Sequence, residues 1–179
     1  MGNIAVKAGL HTSVKGFKTP SELSMERFAY FCKNKLLMGL VFADIELING
    51  DDWSDFRRKR IPEDNIRRMT VHMNVDSGAV MMAINENIRL QLGLDILEVR
   101  QAQLADGSYV ELPVVGPVEV RFANRQCSVR AIVLPGNTQP LLGAIPMEDM
   151  DVMIHPARQE LIVPPDRPYI AQMAMRGFK

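Results

Sequence analysis

From Met69 to Asp76 the residues Met69, Val71, Met73 and Val75 alternate with Thr70, His72, Asn74 and Asp76, the period of two of a strand with one face against a core. The strand runs straight into Asp76-Ser77-Gly78-Ala79, an Asp-Ser-Gly triplet that occurs once in the chain. A strand cannot stand alone: it must find partners for its edges and cover for its apolar face. The rest of the chain offers these as short apolar runs divided by turn residues, which predicts an all-β domain.

Gly39 to Ile48 reads as a strand that stops at the turn Asn49-Gly50, and the charged segment Asp51 to Arg68 reads as a loop. Asn85 is placed to cap a short helix through Ile88, Leu90 and Leu92, with Gly93 as its stop. Strands over Ile96–Leu104 and Tyr109–Val115 flank Ala105-Asp106-Gly107-Ser108, whose Asp-Gly pair predicts a tight hairpin. A second hairpin is expected from Pro117–Phe122 and Cys127–Leu134 around a turn at residues 123–126. After the break at Pro135-Gly136-Asn137 come Leu141-Leu142-Gly143-Ala144-Ile145, a short helix over Pro146–Met150, and small strands at Val152–Ile154 and Leu161–Val163. Residues 1–37 form an N-terminal extension with six Lys or Arg against two Glu, where Glu22–Lys35 could make a short helix. The division expected is an extension at 1–37, a domain at 38–165 and a proline-rich tail at 166–179.

Composition bounds the rest. With 179 residues, 47% of them apolar and 23% charged, the chain can bury one ordinary core. Lys plus Arg equals Asp plus Glu, 21 each, so the chain as a whole has no field to draw nucleic acid or anionic lipid. No run reaches the roughly 18 apolar residues of a membrane span, and the start lacks an apolar signal core; the cytoplasm is the expected compartment. Cys32 and Cys127 lie far apart with no Cys-x-x-Cys pair, so two reduced thiols are expected, with neither a disulfide framework nor a metal site.

The order of features, an apolar strand into Asp76-Ser77-Gly78-Ala79, an Asp-Gly hairpin, then Leu141-Leu142-Gly143 before a short helix, resembles the retropepsin-like aspartic proteases across roughly Met38 to Val163. The resemblance implies a closed, partly open β-barrel with a flap hairpin and one or two short helices. It also implies that Asp76 is catalytic, that Ser77 braces the site, and that Gly78, Ala79, Leu142 and Gly143 support it. Ala105, Asp106, Gly107 and Ser108 would form the flap. Because the triplet occurs once, the second carboxylate must come from another copy: a homodimer is expected to hydrolyse an extended peptide or protein substrate, with no cofactor. A non-catalytic dimeric peptide-binding module of the same fold is the alternative.

Other residues have plainer readings. Arg57, Arg58, Lys59, Arg60, Arg67 and Arg68, near Trp53 and Phe56, could meet phosphates, but Asp51, Asp52, Asp55, Glu63 and Asp64 interleave with them, so a self-neutralising loop is expected. Asp106 is explained by hairpin geometry, His72 by a solvent-facing or hydrogen-bonded place on its strand, and Cys127 by packing. Val80, Met81, Met82 and Val133 could line a pocket or fill the core, and most methionines are expected in the core.

Overall fold

The alternation ending at Val75 does form a strand, and its register explains much of the architecture. The structure is a computed structural model that describes residues 40–103 and 107–172. The extension at 1–37 with its expected helix, Cys32, the tip residues Ala105 and Asp106, and residues 173–179 of the tail lie outside the described residues. The described residues belong to a unit that begins at Gly39.

Seven strands make the main sheet: β1 (Val41–Asn49), β2 (Arg68–Val75), β3 (Met82–Asn85), β4 (Ile96–Gln103), β5 (Tyr109–Phe122), β6 (Arg125–Leu134) and β7 (Leu141–Leu142). Their order is β1-β2-β7-β3-β6-β5-β4, and β1 also pairs with β5. Six strands thus close into a ring, and β4 hangs on the outside of β5 as a two-stranded arm. This is the expected all-β, partly closed barrel. Inside lie fully buried Ile45, Leu47, Met73, Met82, Ile84, Val115, Val118, Ala131 and Leu142, drawn from the inward positions of every strand of the ring; at about 25 cal/mol per Å² their burial is the main stabilising term.

β5 is one strand where two were expected. Its pairing register shifts between Val115 and Val118, at Gly116-Pro117, so the strand bends there and is shared: its first half pairs with β4 and its second half with β1. Proline, which cannot donate to a ladder, sits at the irregularity rather than ending the strand. β3 was not foreseen as a strand. It is fully buried over four residues, and so short a run shows no alternation to read.

Among the described residues, three short α-helices accompany the sheet. α1 (Gly50–Arg57) replaces the first half of the expected loop. The Asn49 side chain accepts hydrogen bonds from the backbone N–H of Asp51 and Asp52 at 2.9 and 3.1 Å, while acidic residues in the first turn and Arg57 in the last suit the helix dipole. Asn-Gly here is a cap and a helix start. α2 (Glu86–Leu92) is capped by Asn85 and stopped by Gly93 in the left-handed region, as expected. α3 (Ala144–Asp149) begins earlier than expected, directly after Gly143 as its N-cap; Pro146 falls in its first turn, where a missing N–H costs nothing.

A small sheet of β8 (Met153–His155) and β9 (Glu160–Ile162) follows. The chain from Pro164 to Gln172 is then tied down by Asp151, which accepts from Arg167 Nε and Nη2 at 2.8 and 3.0 Å and from the Gln172 backbone N–H at 3.0 Å. Arg125, buried beside them, donates to the Arg167 carbonyl.

Candidate active site

β2 delivers Asp76 into a tight turn, and backbone hydrogen bonds pin that turn from two sides. The Asp76 N–H donates to the Leu142 carbonyl at 3.0 Å, extending the parallel pairing of Val75 with Leu142. The Asp76 carbonyl accepts from the Ala79 N–H at 3.2 Å, and the Gly78 N–H donates to Asp76 Oδ1 at 2.8 Å. The half-buried carboxylate is therefore oriented by its own turn. Its other oxygen, Oδ2, takes no hydrogen bond from the described residues. Ser77 and Gly78 are exposed at the apex.

The far side of the turn is locked to α3. The Ala79 and Val80 carbonyls accept from the N–H groups of Ala144 and Ile145 at 2.7 and 3.1 Å. Gly143 makes this possible: a Cβ there would stand 2.7 Å from the Ala79 carbonyl oxygen and closer still to that of Met81, so only glycine lets the two segments approach. The structure thus brings Asp76, Ser77, Gly78, Ala79, Leu142 and Gly143 together.

The arm is built as expected, with Gln103 opposite Tyr109 and Arg100 opposite Leu112. Gly107 adopts φ +85°, open to glycine without strain, and is exposed with Ser108; Ala105 and Asp106, the rest of the expected flap tip, lie outside the described residues. Among the four ambiguous residues, Met82 and Val133 are core, Val80 is exposed, and half-buried Met81 faces a cavity of about 220 Å³ shared with Val129, Ile145 and Pro146.

The plainer readings also find their places. His72 Nδ1 lies 2.7 Å from Asp44 Oδ1, and its ring stacks on Phe42 at 5.2 Å. Arg60, Arg67 and Arg68 pair with Asp55, Asp52 and Glu63. Trp53 is covered by Arg121, 4.4 Å from the ring centroid. Cys127 is buried, and burial, with the Asp149 and Glu119 charges adding, pushes its thiol up to about 12, which suits packing and not nucleophilic chemistry.

Two features escaped the sequence. Gln139 Nε2 donates to the His72 carbonyl at 2.9 Å, holding the segment before β7 against β2. Arg100 of β4 reaches across to Met81; its place two residues after Glu98, on one face of a strand, was the available signal.

Residues 65–145 match the family model described as aspartyl protease. That match spans the Asp76 turn, the arm and the Leu-Leu-Gly run. This part of the chain is thus similar to an aspartyl protease domain of the pepsin and retropepsin clan, a match that supports a function of the protease type. No curated protein matches the chain.

Proposed function

We propose that the chain is one subunit of a homodimeric aspartic endopeptidase, in which two Asp76 carboxylates flank a water and hydrolyse a peptide bond. The observation that carries this reading is the Asp76 turn: a single carboxylate, fixed through Oδ1 while Oδ2 takes no hydrogen bond from the described residues, on the segment matching the aspartyl protease family. Two such carboxylates held close cannot both ionise cheaply, so they share a proton, the established behaviour of this enzyme class. The ionised member takes a proton from the water as its oxygen attacks the peptide carbonyl carbon. The protonated member gives its proton to the carbonyl oxygen, forming a gem-diol. Transfer of a proton to the amide nitrogen then lets the C–N bond break, releasing acid and amine and restoring the shared proton. Ser77, exposed beside Asp76, would brace the pair, and the β4–β5 arm would close over an extended substrate held by main-chain hydrogen bonds.

The test is cleavage of a diverse peptide library between about pH 4 and 7, the range suited to a shared-proton pair, by the native chain and by Asp76→Asn, each first shown to be dimeric by analytical ultracentrifugation. Cleavage that disappears in the variant is expected. Peptide binding by both dimers with cleavage by neither would overturn the enzyme reading in favour of the non-catalytic binding module.

A further inference from the structure

We infer that Arg100 is a specificity-determining residue of this cleft and reads a glutamate or aspartate side chain of the bound peptide; the inference rests on the cleft proposed above.

Arg100 stands on the arm strand β4, while Met81 belongs to the floor, just beyond the carbonyls of Ala79 and Val80 that are locked to α3. Arg100 Nη1 lies 3.7 Å from Met81 Sδ, so this contact bridges arm and floor beside the Asp76 turn. A peptide lying between them passes this point.

The guanidinium is poorly served there. Its Nη2 pairs with Glu98 Oε1 at 2.7 Å, but Arg130 Nη1 also approaches that same oxygen, at 3.5 Å. Two guanidinium groups thus share one carboxylate, leaving an excess positive charge. Of its other donors, Nη1 meets a thioether sulfur, a weak acceptor, and Nε has no hydrogen-bond partner among the described residues. The Arg100 side chain is 51% exposed, so it can turn to a new partner without unmaking the core. A substrate carboxylate would replace the sulfur contact with charge-assisted hydrogen bonds of about 2.7–2.9 Å. Exposed Val80, on the floor segment beside Met81, offers apolar cover for the stem of such a side chain. A lysine or arginine at the same position would meet the excess charge and be rejected.

The test separates this inference from the enzyme reading by using binding as well as cleavage. A randomised library of extended peptides is selected on the dimeric Asp76→Asn protein and on the same protein carrying Arg100→Glu or Arg100→Lys. An acidic residue should be enriched about tenfold at one peptide position. The enrichment should reverse toward basic residues with Arg100→Glu and survive, weakened, with Arg100→Lys. Absence of an acidic position, or an acidic preference unchanged by Arg100→Glu, would overturn the inference. Cleavage of the same library by the native chain without that preference would overturn it alone and leave the protease reading standing, whereas failure of the inactive dimer to bind any peptide would overturn both.

Discussion

At Gly143 one methyl group is enough to force the Asp76 turn away from α3, because the added carbon would press on the carbonyl oxygens of Ala79 and Met81. Neither oxygen can retreat without loosening the hydrogen bonds that Ala79 and Val80 accept from α3. Gly143→Ala is therefore expected to cost about 2 kcal/mol in urea unfolding, in the range of other overpacking substitutions, and to lower any activity of Asp76 by more than the lost stability alone explains. Cys127 makes the opposite case, a reactive residue type made inert. With its thiol pushed up to about 12 and buried against the Pro146 carbonyl, almost no thiolate exists near pH 8. In a Cys32→Ser background a disulfide reagent should leave the native protein unlabelled and modify one thiol once denaturant is added; fast native labelling would contradict the packing.

Among the elements, α1 depends on Asn49 at both faces of that side chain. Its oxygen caps the helix and its amide donates to the Leu92 and Gly93 carbonyls at 2.9 and 3.1 Å, joining α1 to the end of α2. Asn49→Ala should cost about 2 kcal/mol, more than an ordinary cap, because buried carbonyls lose their partner as well. α1 is also tied to β2: Asp52 accepts from the Arg67 backbone N–H at 3.0 Å and from its Nε and Nη2, both at 2.7 Å. The side-chain hydrogen bonds from Arg67 hold the Asp52 carboxyl below its ordinary 3.8. A carboxyl depressed in the folded state contributes stability above its unfolded value and loses it as the pH falls through the folded one. The native chain should therefore lose stability relative to Asp52→Asn below about pH 4, while the difference near neutrality is about 1 kcal/mol after allowing for the exposed arginine; denaturant titrations across pH measure it. These contacts also show what was legible beforehand. β2, α2 with its Asn85 cap and the Asp76 triplet all rest on local patterns and could be read directly. α1 was hidden because Asn-Gly serves equally as a turn and as a helix start, and β3 because four buried residues show no period. The place of Arg100 beside Glu98 was visible in the sequence, but its contact with Met81 joins β4 to a distant segment and was not.

For the whole molecule, the tail matters through Asp151 and Arg125. Asp151 is held below the usual carboxylate range by the Arg167 side chain, and buried Arg125 has a carbonyl to donate to only while Arg167 lies over it. Ending the chain after Val163 would leave these two charges only each other, at 3.9 Å, and a drop in Tm of at least about 3 °C is expected in thermal unfolding. The ring itself carries a longer consequence. β7 is two residues long, yet it sits between β2 and β3, strands that precede it by a large part of the sequence. Until Leu141 and Leu142 arrive, β2 has an open edge, the Asp76 N–H has no acceptor, and Gly143 is not there to admit the turn. A chain still emerging from the ribosome thus exposes its Asp-Ser-Gly segment without the frame that shapes it. Synthesis must pass Gly143 and the beginning of α3 before the carboxylate can take up its final orientation, so whatever chemistry the turn performs is withheld from the nascent chain by the order in which its parts are made.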